Sequence, residues 1–406
     1  MTKYGRSPWL DTFPKSRVPS YGRQSGPMTA DVVIVGGGLT GCATAYACAA
    51  AGRKVVLLEA DRIGRGSTAF SPGWIADEPG VPFATVEKLL GLRAARHAWK
   101  VWRRAALDFS ALLRRLNVRC YLEPRPSVTL ALTDDQLVAL KREHKVRRAA
   151  GLEAPLINRR SVGGDVGVSA AGGLRGRDTA VLDPYRACLG LAGAASARGA
   201  QLFERSPATK IKFGRKTAEV RTRSGAIRTN RVVVATAVPT ALFGSLRRHF
   251  WFKTTYGVLT EPVPAKIRSQ LGRHESVIRD LATPPHVVRL VDDVQVLVVG
   301  ADQASPPDRQ RDKIVVQRTG QLMYELSTLY PDISGIRPEF GWDASYALTT
   351  EGLPYLGPHR NFPHHLFAFG DSSHGVTGAY LASRILLRHV LGEVERADDV
   401  FGFNRA

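Results

Sequence analysis

Gly36, Gly38 and Gly41 are spaced as GxGxxG, and the stretch Val35–Gly41 closes an apolar run and opens an Ala-rich one. That spacing can hold a pyrophosphate. Gly36 permits a tight turn, Gly38 lets the backbone approach the phosphates, and Gly41 lets a helix pack closely on a strand. Leu39 and Thr40 then stand at a helix N-terminus, where N–H groups and the positive dipole end favour an anion. Glu59 ends the next apolar run, about 20 residues further on. A carboxylate there accepts hydrogen bonds from both ribose hydroxyls of an adenosine and repels a 2′-phosphate. Turn, helix and carboxylate together point to a dinucleotide, without separating NAD from FAD.

The remaining reactive residue types add little by spacing alone. Cys42, Cys48, Cys120 and Cys188 form no CxxC pair and read as buried reduced thiols, and no Cys/His cluster has metal spacing,. Arg289 lies in an apolar strand, where an inward-facing arginine needs a partner. It either anchors an anionic substrate group or pairs with Asp292.

The elements that must position these groups follow from periodicity. Asp31–Val35 and Lys54–Leu58 read as buried strands, and Leu39–Ala51 as the helix between them, a βαβ unit. Val86–Leu116 reads as one helix with an aromatic stripe. Val128–Leu132 is strand-like, and Asp134–Ala150 a charged helix. Asp183 caps an Ala-rich helix opened by Pro184. Lys210–Phe213, Ala218–Arg223 and Ala226–Thr229 form a meander, and Arg231–Ala235 another buried strand. Strand-like runs recur between 250 and 300, followed by a helix over Gln310–Tyr330, a strand over Leu366–Phe369 and a helix over Val376–Leu391. Helix and strand alternate at both ends, with antiparallel-type strands between. An α/β domain interrupted by a second, mixed domain is expected.

A chain of 406 residues suits two joined domains rather than one core,. The proline-rich residues 1–28 read as an irregular arm. The expected boundaries are 29–118, 150–240 and 336–406 for the dinucleotide domain, and 119–149 and 241–335 for the substrate domain. The polar start carries no secretory h-region, and no apolar run is long enough to span a bilayer, so a cytoplasmic location is expected. Lys and Arg number 57 against 36 Asp and Glu, a net charge of +21, but the cations are spread along the chain and read as a solvated basic surface,. No nucleic-acid partner is expected.

Later segments separate FAD from NAD by resemblance. Asp61–Trp74, DRIGRGSTAFSPGW, resembles the segment after the second strand in FAD-dependent amine and amino-acid oxidoreductases of the D-amino-acid-oxidase superfamily. Gly66, Ser67, Thr68 and Gly73 match; Phe70 and Ser71 stand where many relatives have Arg and Asn. Val181–Pro184, Thr349–Gly357 and Phe369–Gly378 resemble further motifs, in the family's order. Ser7–Pro8–Trp9 resembles the gamma-glutamylputrescine-oxidase-like branch; the glycine-oxidase-like branch is also near. The resemblance implies a Rossmann-like, glutathione-reductase-type FAD domain with a discontinuous mixed α/β substrate domain. It implies FAD contacts from the turn residues with Glu59, Ala60 and Arg62, from Gly66, Ser67, Thr68 and Gly73, from Thr236, and from Gly370, His374, Gly375, Val376 and Thr377. Reduced flavin is negative near N1, and the last helix start offers it N–H donors.

The implied chemistry is oxidation of the C–N bond of a small amine or amino-acid-like substrate to an imine, with oxygen or another carrier as electron acceptor. Ala344 and Phe70 stand where covalently flavinylated relatives carry Cys and His, so non-covalent FAD is expected. The segments in which glycine-oxidase-like relatives place carboxylate-binding arginines, here Trp342–Tyr346 and Asp371–His374, contain no Arg. An amine is therefore favoured, with an amino-acid oxidase or dehydrogenase using another anchor, such as Arg289, as the alternative. An RNA-base-modifying enzyme and a non-catalytic flavoprotein subunit are the more distant readings. Tyr256, Arg289, Tyr346 and His374 are the candidate catalytic residues.

Overall fold

The buried apolar runs pair as parallel strands because neither face meets water. In the computed structural model, which describes residues 1–272, 276–370 and 375–405, Gly26–Val35 lies between Val55–Leu58 and Gly225–Ala237, all parallel. Val32, Val33 and Ile34 are fully buried. Gln201–Phe203 extends the sheet beyond Val55–Leu58. Gly225–Ala237 absorbs both Ala226–Thr229 and Arg231–Ala235. Its first half pairs with the antiparallel Ala218–Arg221 and its second half with the parallel Phe362–Phe369. Helices Leu39–Ala50, Pro184–Ala197 and Gly375–Leu391 share one core on this sheet, their alanines allowing close approach.

A larger, mostly antiparallel sheet holds nine strands in the order Lys3–Tyr4, Pro338–Leu348, Trp251–Thr260, Gln295–Ala304, Val287–Val291, Val277–Arg279, Ser127–Ala131, Gly172–Gly176 and Leu156–Asn158. One face packs on helix Arg311–Leu329 through Tyr256, Val258, Val296 and Val298. The other face, with Leu259, Leu297, Val299, Phe340 and Trp342, joins the core of the nucleotide-side helices. The two sheets are thus cemented by one continuous apolar layer.

Three expectations change. Leu156–Asn158, Gly172–Gly176 and Pro338–Leu348 belong to the larger sheet, although the sequence boundaries put them with the dinucleotide sheet. Period-2 patterning is weak there, because glycine and polar residues interrupt it. The helix expected over Val86–Leu116 is two helices, Phe83–Leu90 and Leu92–Arg115, broken at Gly91 with φ +85°. The arm is not irregular throughout. Lys3–Tyr4 adds an edge strand beside Phe340 and Gly341, and Pro8–Thr12 is a short helix with Trp9 buried. No helix among the described residues is long and apolar enough to cross a membrane.

One buried group makes the smaller sheet acid-sensitive. His365 is 1% exposed, stacked on Phe367 with centroids 5.9 Å apart and edge-on to Phe213, Phe243 and Phe362. Burial, and then the neighbouring His364, push its pKa down to about 4. An unfolded histidine titrates near about 6.5. Between those values the unfolded chain binds a proton that the folded chain refuses, so stability falls as pH falls through this window and is unaffected above it. His249 and His359, lowered first by burial, add to the effect. The expected loss from His365 is roughly 2 kcal/mol at pH 5 relative to pH 7.5. His365→Leu should shrink the drop in urea midpoint between those pH values; an unchanged drop would assign the acid sensitivity elsewhere.

Candidate active site

Gly36 has φ +108°, and a Cβ on it would sit 2.4 Å from the Ala235 carbonyl oxygen of the neighbouring strand. A Cβ on Gly41 would sit 1.9 Å from the Gly36 oxygen. Both glycines are therefore demanded by backbone contact, which lays helix Leu39–Ala50 directly on its strand. Gly38 caps that helix and faces Thr68 Oγ1. Thr68 Oγ1 accepts the Leu39 N–H at 2.9 Å, tying the start of the helix to the segment Ser67–Phe70. Glu59 Oε2 accepts from the Gly37 N–H at 2.6 Å, and Oε1 from the Asp61 N–H at 2.8 Å. Each carboxylate oxygen has two lone pairs, so the turn is braced while acceptor capacity remains for ribose hydroxyls. Ala60 and Gly66 are exposed, Ser67 is exposed and Arg62 is half-buried, all on the same side loop.

The segment after Thr68 is held at successive carbonyls. The Ala69 oxygen accepts from Ser7 Oγ, the Phe70 oxygen from Trp342 Nε1 at 3.1 Å, the Ser71 oxygen from Trp9 Nε1 at 3.0 Å and the Pro72 oxygen from Arg289 Nε at 2.6 Å. Gly73, φ +66°, then passes the Leu182 carbonyl, where a Cβ would come within 2.2 Å. At the far side, Thr236 Oγ1 donates to the Val238 oxygen at 2.9 Å, and Gly370 has φ +78°. Gly375 opens the helix that runs to Leu391, and Thr377 Oγ1 donates to the Ala76 oxygen at 2.8 Å. His374 lies outside the described residues.

Parts of these segments line one cavity. Leu39 and Thr40, Ser67, Thr68 and Phe70 to Pro72, and Gly375 and Val376 form one wall. Thr255, Val299, Ala344 and Tyr346 of the larger sheet form the other. Two long helices direct their positive ends at it. Among the described residues that line it there is no charged side chain, no histidine and no cysteine. The glycine cradle, the convergent helix ends and the apolar walls fit a dinucleotide with an anionic pyrophosphate and a flat aromatic ring system. The turn, Glu59 and the helix starts at Leu39 and Gly375 are the residues that would hold it.

Of the catalytic candidates, the structure brings Tyr346 to this cavity and places two elsewhere. Tyr256 is buried on the opposite face, where its hydroxyl accepts from Gln303 Nε2 at 2.8 Å and Arg318 lies over its ring. Its neighbour Thr255 faces the cavity, because side chains alternate along a strand. Arg289 does not line this cavity. Its guanidinium donates to the Pro72, Leu290 and Leu182 carbonyls and lies over the Trp9 ring. Burial pushes its pKa down to about 10.

Asp302 was not legible as a site residue. The register between Trp251–Thr260 and Gln295–Ala304 slips between Thr254 and Tyr256, and Ala301 has φ +54°. Regular alternation from Val296 and Val298 would send Asp302 to the helix face. The bulge reverses the alternation. Ala301 packs on the helix face and Gln303 bonds Tyr256 there, while Asp302 Oδ2 accepts from the Tyr346 hydroxyl at 2.5 Å. A left-handed alanine costs roughly 1–2 kcal/mol, so the surrounding packing must hold it. The signal available in the sequence was Gly300 inside a strand-like run, a common mark of a bulge.

Arg289→Met tests its structural role. It should lower stability by roughly 3 kcal/mol in urea, for three lost carbonyl hydrogen bonds, and weaken FAD binding through the loosened Pro72 segment. A variant of wild-type stability that lost only the binding of carboxylate ligands would restore Arg289 as an anchor.

The model of the DAO family, described as FAD-dependent oxidoreductase, matches residues 31–388. The chain is 27% identical to "Probable oxidoreductase OrdL" of Haemophilus influenzae over 90% of this chain and 84% of that one. It is 26% identical to gamma-glutamylputrescine oxidoreductase of Escherichia coli over 91% and 86%. The crystal structure of glycine oxidase from Geobacillus kaustophilus superposes with a TM-score of 0.77 at 19% identity, covering 93% of this chain and 99% of that one. Because the family model spans residues 31–388, most of the sequence, this chain belongs to the DAO family of FAD-dependent oxidoreductases.

Proposed function

We propose that the protein oxidises the C–N bond of a small primary or secondary amine, or of an amino-acid derivative whose carboxylate lies away from the reacting carbon. The observation that carries this reading is the cavity wall, which has no cationic side chain among its described residues. An α-carboxylate bound there would be desolvated without a cationic partner among those described residues, which costs several kcal/mol,. Arg289, the alternative anchor, is spent on backbone carbonyls. The relatives include an enzyme named for gamma-glutamylputrescine, which fits an amine-bearing substrate. They also include a glycine oxidase of Bacillus licheniformis, which keeps amino-acid oxidation as the second reading.

Bound FAD supplies the acceptor for a hydride equivalent from the carbon next to nitrogen. The chain supplies the rest. Val299, Leu356 and Phe369 line the cavity and exclude water. Low polarity around the substrate favours the uncharged amine, the form that can give up the hydride. The pinned Ser67–Pro72 segment and the Tyr346 wall set the distance across the cavity, so orientation rather than a strong base carries the rate. Negative charge developing near the helix starting at Gly375 meets its positive end. Oxygen or a separate carrier then takes the electrons, and the product imine hydrolyses in water.

Anaerobic mixing of the purified, FAD-loaded protein with a panel of diamines, N-alkyl amines and α-amino acids tests this. Amines should bleach the flavin absorbance and simple α-amino acids should not; bleaching by α-amino acids alone would sink the amine reading. Acid precipitation should leave the yellow colour in the supernatant, as expected for flavin without a covalent link, whereas a yellow pellet would contradict it.

A further inference from the structure

Tyr346 lines the cavity, and its hydroxyl donates to Asp302 Oδ2 at 2.5 Å. A phenol carries one proton. With that proton held by the carboxylate, the hydroxyl offers the cavity only its lone pairs. Burial, and next the charge of Asp302, hold the phenol pKa above its ordinary value, so the proton stays on the oxygen. Asp302 Oδ1 is buried and has no hydrogen-bond partner among the described residues. The nearby His286 sits between Asp280 at 2.7 Å and Glu325 at 2.8 Å, so those carboxylates already match its charge. The bulge at Ala301 is what delivers Asp302 to this face, and strained backbone of this kind concentrates at functional sites,.

We propose that Tyr346 and Asp302 select the substrate's nitrogen: the Tyr346 hydroxyl accepts a hydrogen bond from an amine N–H, and Asp302 positions that hydroxyl with its proton turned away. A carboxylate oxygen at the same place would meet lone pairs and a negative charge behind them. An N–H group would meet an acceptor. Tyr346 is thus the group in contact with substrate, and Asp302 acts through it. The inference deepens the amine reading above and rests on it.

The test uses ligands that cannot react. tert-Butylamine has no hydrogen on the carbon next to nitrogen, and pivalate is its carboxylate counterpart. Each is titrated into the FAD-loaded protein while the flavin absorbance is followed, with FAD affinity measured separately as a control on folding. The wild type should bind tert-butylamine more tightly than pivalate. Tyr346→Phe, which removes only the hydroxyl, should weaken tert-butylamine by about tenfold or more and leave pivalate no weaker. Asp302→Ala should weaken tert-butylamine comparably and tighten pivalate, because the freed hydroxyl can now donate. A tert-butylamine affinity within about twofold of wild type in Tyr346→Phe overturns the assignment, as does equal weakening of both probes in the two variants. If oxidisable amines bleach the wild-type flavin but tert-butylamine ignores both substitutions, only the Tyr346–Asp302 assignment falls. If no amine bleaches it, the amine reading itself falls.

Discussion

The carbonyls of Ala69, Phe70, Ser71 and Pro72 point into protein rather than solvent, and buried carbonyls must find donors,. No regular ladder serves them. Their donors come from Ser7 and Trp9 of the arm, from Trp342 of the larger sheet's long strand and from Arg289 of another strand in that sheet. The requirement ties three distant parts of the chain to one short segment. That segment forms a cavity wall and, through Thr68, holds the start of helix Leu39–Ala50. The arm therefore belongs to the site's architecture, and Trp9, buried under Arg289, is its anchor.

The second constraint is closeness of backbone. Gly41 against Gly36, and Gly36 against Ala235, press helix and strands together until no side chain fits between them. The neighbouring helices Pro184–Ala197 and Gly375–Leu391 can then pack on Leu39–Ala50 through alanines. Their starts converge on the cavity because their axes are fixed by that packing. The positive ends that favour an anionic cofactor are a consequence of core packing.

The larger sheet gives its two faces different work. One face is sealed by helix Arg311–Leu329, with Tyr256 and the Arg311–Asp343 pair at 2.7 Å among its contacts. The other carries Thr255, Val299, Ala344 and Tyr346 to the cavity. A strand keeps such a division by strict alternation, and a bulge is the local means of breaking it. At Ala301 the break places a carboxylate behind a tyrosine in a wall otherwise without charge among its described residues.

The sequence by itself determined the cofactor half of this protein. The glycine turn, the Glu59 carboxylate, the Asp183 cap and the alternation of apolar runs are local signals, each set by backbone conformation or helix-end chemistry within a few residues. The larger sheet was less legible. Pro338–Leu348 and Gly172–Gly176 mix glycine and polar residues with apolar ones, so their period is blurred, and the two-helix break at Gly91 rests on one residue's conformation. Tertiary structure alone decided which side chains reach the cavity. Tyr256 and Arg289 looked as eligible as Tyr346, because residue type does not reveal strand face. The face of Asp302 depended on a one-residue slip against a partner strand about fifty residues away in sequence,. The arm's docking depended on carbonyls with no local donor. Pairing register and the satisfaction of buried polar groups are properties of the assembled chain.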